Sequence, residues 1–98
     1  MTVAVEMTFR GATLEQYDTV VDKMGYERQG EGHQDGLFHW VAQTPEGLRI
    51  VDVWDSPEAF QAFADSTLGP ISAEVGVPAP AVTITPIHNY LYGPRFAR

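Results

Sequence analysis

The stretch from Leu37 to Trp54 constrains this chain more than any other, because neither of its faces is polar. Leu37 to Thr44 and Leu48 to Trp54 are two β-rich runs separated by Thr44-Pro45-Glu46-Gly47, so they read as an antiparallel hairpin. A hairpin in a sheet with one wet side alternates apolar and polar residues. Here one face is aromatic and the other aliphatic, so both need a cover. The turn sets which residues share a face. Proline cannot take the positive φ of a primed turn, which favours a type I turn with Gly47 as a left-handed bulge residue. In that register Thr44 opposes Leu48, Ala42 opposes Ile50 and Trp40 opposes Asp52. One face then carries Phe38, Trp40, Ala42, Ile50, Asp52 and Trp54, and the other Leu37, His39, Val41, Val51 and Val53. A tight two-residue turn, the minority register, pairs His39 with Asp52 instead.

The flanking segments supply the rest of one fold. Val3 to Phe9 alternates as a strand, with Val3, Val5, Met7 and Phe9 on one face. Thr13 and Gln16 form a capping-box signature. Leu14, Tyr17, Val20, Val21 and Met24 follow at helical spacing, and Gly25 suits the left-handed stop. Residues 28–36 hold three glycines and no apolar side chain, and read as a mobile loop, either a lid or a plain connector. Ser56-Pro57 is an N-cap with proline at the first helical position. That helix buries Ala59, Phe60 and Phe63 until Gly69-Pro70 breaks it, and Ile71 to Val75 adds another turn or two before Gly76. Ala81 to about Leu91 reads as a final strand, with Pro86 marking an edge or a bulge. The aromatic tail Tyr90-Leu91-Tyr92 is expected to pack on something.

The order β-α-β-β-α-β with short connections implies an α+β, ferredoxin-like βαββαβ domain with a four-stranded antiparallel sheet. Helices cover one sheet face. The other, still apolar, is expected to bury itself against a second copy of the chain. The 98 residues make a single domain, and a chain this short buries only about 60–65% of its unfolded surface, so a partner subunit adds stability.

Composition removes several functions. There is no cysteine, hence no disulfide, thiolate nucleophile or cysteine-ligated metal. Net charge is −7, thirteen carboxylates against six scattered Lys and Arg, which argues against nucleic-acid binding. No apolar run approaches the ~20 residues of a membrane span. The first residues lack a basic region and place Glu6 where a signal core would continue, so a cytoplasmic location is expected. The three histidines share neither helix nor short spacing, and no glycine cluster links a strand to a helix. Neither a metal nor a phosphate-bearing cofactor is expected.

Asp52 is the most informative single residue. A lone carboxylate in a strand buried on both faces is costly, and its pKa moves toward the range of a general base. The structural alternative is a carboxylate bonded to the Trp40 or Trp54 indole N–H or paired with an Arg. Glu6, opposite its apolar neighbours, is expected to pair with Arg10 or Arg49. His88 near the end of the last strand is the second candidate proton acceptor. His39 is expected as a satisfied interface histidine and His33 as a solvent-exposed loop residue. Tyr17, Phe38, Trp40, Trp54, Phe60 and Phe63 would line the space between sheet and helices if the aromatic face meets the helices. They would form either an aromatic core or a pocket for a planar hydrophobic ligand.

Val53-Trp54-Asp55-Ser56-Pro57-Glu58-Ala59-Phe60 resembles the strand-to-helix signature of the dimeric α/β-barrel superfamily, in particular its antibiotic-biosynthesis-monooxygenase-like branch. The resemblance spans the chain in element order and about eight residues in motif. It implies two sheets facing across a dimeric barrel and a ligand pocket in each subunit between sheet and helices. Members include cofactor-independent monooxygenases acting on polycyclic aromatic substrates, haem-degrading enzymes, cyclases and isomerases. Haem-degrading members use an Asn on the first strand and a Trp and a His on the helix after the signature. Here Phe63 and Ala73 fall near the last two places, and Val3 to Phe9 has no Asn. The quinone-forming monooxygenases lean on Asn and Trp near the same positions. The expectation is therefore a homodimer binding a small aromatic or polyketide-like molecule without a cofactor. Its chemistry would be oxygenation, cyclisation or isomerisation, with Asp52 or His88 accepting a proton. The alternative is a non-catalytic binding or interaction module.

Overall fold

In the computed structural model, residues 1–96 are described. They form β1 (Val3–Arg10), α1 (Leu14–Met24), β2 (Gly36–Thr44), β3 (Gly47–Trp54), α2 (Pro57–Phe63), α3 (Gly69–Val75) and β4 (Ala81–Pro86). The sheet is antiparallel in the order β2-β3-β1-β4, the ferredoxin-like arrangement. Strand β1 lies inside it and sends Val3, Val5, Met7 and Phe9 into the core. Burying each of these is worth roughly 1.5–3 kcal/mol, so β1 is the anchor against which the rest packs. Leu48, Ile50 and Trp54 of β3, with Phe60 and Phe63 of α2, complete that core.

The local signals act as expected at both helix starts. The Thr13 hydroxyl accepts the Gln16 N–H and the Gln16 side chain accepts the Thr13 N–H, satisfying two donors that a helix start leaves open. Gly25 takes a left-handed conformation that ends α1. Ser56 accepts the Ala59 N–H at the start of α2, with proline next in line. Gly69-Pro70 does not break the second helix. A five-residue π-helical stretch, Ala64–Leu68, carries it through, and the Gly69 N–H reaches the Ala64 carbonyl. The wider turn gives room to a proline ring that would clash with the carbonyl four residues back in an α-helix. A Cβ on residue 69 would lie 2.9 Å from the Ala64 oxygen, so glycine belongs there.

The hairpin register differs from the favoured expectation. Thr44 pairs with Gly47, Val41 with Ile50 and His39 with Asp52, the pattern of a two-residue Pro45-Glu46 turn. Gly47 makes this possible: its φ of +146° absorbs the mismatch that a primed turn would otherwise remove. The Glu46 carbonyl also accepts the Gly11 N–H, tying the turn to the end of β1. The one-residue shift moves Phe38 and Trp40 to the outer face, away from the helices, with exposures of 47% and 41%. His39 and Val41 come to the inner face. A bulge between Gly36 and Phe38 starts β2.

Strand β4 ends at Pro86, short of the predicted Leu91. One further bond, from the Ile87 N–H to the Thr2 carbonyl, closes the pairing. Tyr90, Leu91 and Tyr92 lie exposed beyond it. The 28–36 segment holds two turns closed by the Gly30 and Gly36 N–H groups, and the Asp55 N–H bonds the Asp35 carbonyl, so this loop is tethered to the end of β3. No helix among the described residues is long and apolar enough to cross a membrane.

Candidate functional site

Asp52 sits on the inner face of β3 between Ile50 and Trp54, opposite Val5 of β1 and His39 of β2. It is 5% exposed, yet it is not the lone carboxylate the sequence suggested. Oδ2 accepts the Trp54 indole N–H at 3.0 Å, and Oδ1 lies 2.5 Å from His39 Nδ1. The bland expectation of an indole partner therefore holds through Trp54, two residues along the same strand. Trp40 is on the far side of the sheet.

His39 extends the chain of bonds outward. Its Nε2 is 2.6 Å from the Tyr17 hydroxyl, which α1 brings over the sheet through its helical spacing. The proton positions follow from the acceptor at the inner end. A carboxylate only accepts, so His39 Nδ1 carries a proton, and in the neutral ring Nε2 is then the acceptor to which Tyr17 donates. The order is phenol, imidazole, carboxylate, with the indole N–H holding the second carboxylate oxygen. The imidazole is 44% exposed while the carboxylate is buried, so the chain runs from the surface inward. Burial, with the negative charges of Asp52 and then Asp18, pushes the Tyr17 phenol up to about 12, which keeps it protonated at neutral pH.

A second feature lies on the other side of the Trp54–Phe60 contact. An apolar groove of about 310 Å³ runs between β1 and β4 below and α2, the π-helical stretch and α3 above. Met7, Phe9, Val82 and Ile84 form its floor and Phe60 and Leu68 its roof, with Ser72 and Gln61 supplying the polar edges.

The predicted site residues thus separate. Asp52 and Tyr17 join one hydrogen-bonded chain. Trp54, Phe60 and Phe63 pack together, with Trp54 5.9 Å from Phe60 and 5.2 Å from Phe63, and of these only Phe60 reaches the groove. Phe38 and Trp40 line the outer face and cannot touch an inner ligand. His88 stands exposed at a bend beyond β4, outside both features. His33, expected in solvent, is half-buried against Trp54 and Phe63, and its Nδ1 accepts the Asp35 N–H. His39, expected at an interface, is the residue that links Asp52 to Tyr17. The signal that identifies it is the alternative register, in which it faces Asp52 directly. On the outer face Arg49 donates to Glu6 at 2.8 Å, one of the two pairings foreseen for that glutamate.

No protein-family model matches this chain, and no curated protein does. Among solved structures it is similar to a crystal structure from Chloroflexus aurantiacus J-10-fl, provisionally assigned as an antibiotic biosynthesis monooxygenase. The identity is 23%, the TM-score 0.61, and the match covers 95% of this chain and 100% of the other. The chain has the α+β, ferredoxin-like fold of that antibiotic biosynthesis monooxygenase structure.

Proposed function

We propose that this protein binds a small, uncharged hydrophobic or aromatic molecule between its sheet and its helices, as a homodimer of antibiotic-biosynthesis-monooxygenase-like subunits. The observation that carries the reading is the apolar groove over β1 and β4. At about 310 Å³ it falls at the lower end of the range of about 300–1,000 Å³ usual for ligand pockets, which suits a compact ligand better than an extended polycyclic one. Among the described residues no Lys, Arg, Asp or Glu side chain lines it, so a charged ligand would lose its hydration without compensation. The natural role for such a subunit is cofactor-independent oxygenation, cyclisation or isomerisation of its ligand.

The dimer reading rests on the outer face of the sheet. Trp40, Ala42, Val51 and Val53 make most of the β2–β3 half of that face apolar, with Arg49 bonded to Glu6 at its border, whereas Glu6, Thr8, Thr83 and Thr85 make the β1–β4 half polar. A two-fold axis over the apolar half would cover it with its own copy. In the test, N-phenyl-1-naphthylamine, a neutral aromatic dye, is titrated into the protein, and small molecules that copurify with it are analysed by mass spectrometry. Saturable dye fluorescence that Ala64→Phe abolishes by filling the groove is the expected result. Equal fluorescence in both proteins would remove the groove from the reading. Sedimentation at micromolar concentration tests the assembly: a dimer that Trp40→Glu converts to a monomer supports it, and a wild-type monomer overturns it.

A further inference from the structure

We infer that Tyr17, His39 and Asp52 form a proton-transfer site, separate from the groove, that removes a proton from an activated C–H or O–H of a neutral compound. The three residues come from α1, β2 and β3, yet their polar atoms fall in one line of short contacts: Oη to Nε2 at 2.6 Å and Nδ1 to Oδ1 at 2.5 Å. Stability does not call for the outer two members of this line: Trp54 already holds Asp52 Oδ2, whereas the His39 imidazole lies half in solvent, where its contact with the carboxylate adds little. The line also has a direction. It begins at a carboxylate sealed in the core and ends at an imidazole and a phenol that solvent reaches, which is where a substrate would meet it.

The roles follow from the bonding. Tyr17 gives its hydroxyl proton to His39 Nε2 and presents the lone pairs of Oη to an incoming hydrogen. As the substrate C–H or O–H bond breaks, a new Oη–H bond forms, the old Oη–H bond breaks, and Nε2–H forms. The electron pair stays on the substrate as a carbanion or oxyanion, and the proton resides on the imidazole. Asp52 is a positioning residue: it holds Nδ1–H, so that Nε2 is the basic nitrogen, and it faces the imidazolium with its charge. Trp54 fixes its other oxygen. Because the phenol is held protonated, His39 and not a tyrosinate is the base. The charges around the mouth select a neutral substrate. Asp18 and Asp52 are negative, and the cation beside them, Arg28, is engaged by Asp18 at 3.5 Å.

This site does not depend on what the groove binds, and its test uses a different probe. Nitrobenzisoxazole is neutral and aromatic and reacts by loss of one ring C–H proton to a base. Its N–O bond then breaks, a nitrile forms and a coloured cyano-nitrophenolate is released, with no cofactor. The full chain should release the phenolate faster than buffer at equal pH. His39→Gln should lower the rate by about a hundredfold, within the range of a lost general base, and Tyr17→Phe should lower it by roughly tenfold. Asp52→Asn keeps the size of the side chain but leaves His39 Nδ1 facing a neutral amide, so kcat should fall by about tenfold or more with KM unchanged. A purely structural Asp52 would leave kcat in place. His88→Gln should retain the wild-type rate. No acceleration over buffer, an unchanged rate in His39→Gln, loss in His88→Gln, or an unchanged kcat in Asp52→Asn would each overturn the proposal.

Discussion

Replacing Asp52 with alanine isolates what the buried end of the polar chain contributes. Trp54 is 3% exposed, so losing its acceptor strands an indole N–H in the core, a penalty of about 1–3 kcal/mol. The His39 contact adds less, because the imidazole is half in solvent and water replaces the lost oxygen; roughly 0–1 kcal/mol is reasonable. The expected total is about 1–4 kcal/mol, a sizeable share of the roughly 5–15 kcal/mol that holds a domain together. For a chain of 98 residues each kcal/mol of that corresponds to a fall in Tm of about 4–8 °C. Urea unfolding followed by circular dichroism, at one fixed protein concentration, should show the midpoint falling with an unchanged slope. Asp52→Leu restores the lost volume but not the acceptor, so it should remain destabilised. Adding Trp54→Phe removes the stranded donor as well, and the double variant should be more stable than Asp52→Leu alone. The double-mutant cycle should return a coupling of about 1–3 kcal/mol between positions 52 and 54. A coupling below about 0.5 kcal/mol would refute the claim that this bond holds the carboxylate in place.

Two further perturbations have signs set by the structure. In Gly47→Ala the new Cβ would lie 2.1 Å from the Phe9 carbonyl oxygen and 2.7 Å from the Gly11 nitrogen, both backbone atoms with no room to swing away. Together with the +146° φ this should cost about 3–5 kcal/mol, and a thermal midpoint within a few degrees of wild type would contradict the turn geometry. Tyr17 keeps its proton to about pH 12 in the folded protein, whereas the unfolded chain gives it up near 10.0. The unfolded state then binds fewer protons over that window, so stability should decline as pH rises from 10 to about 12. Tyr17→Phe should flatten the decline in urea midpoints, and parallel declines in the two proteins would show that the phenol is not the source.

Much of the fold was legible in the sequence because its signals are local. The Thr13 hydroxyl and Gln16 amide are three residues apart, Ser56 and Ala59 likewise, and each pair can close before the chain has found its partners. Alternation along Val3 to Phe9 marked the inner face of β1, and Asp52 stood out as a charge where hydrocarbon was due. The candidate site was less legible, since it depends on parity. A one-residue change in the turn exchanges every side chain of β2 between core and outside, and turn propensity favoured the bulged alternative.

The amino-acid sequence by itself determined the order of strands and helices, their caps, and the presence of a buried acid, all of which depend on residues within a turn or two of each other. Only the tertiary structure decided which side chain that acid would meet. The Gly47 turn could relax into its unusual backbone once packed against the end of β1, where the Glu46 carbonyl accepts the Gly11 N–H. That long-range contact placed His39 opposite Asp52, sent Trp40 to the outer face, and let α1 lower Tyr17 onto the imidazole.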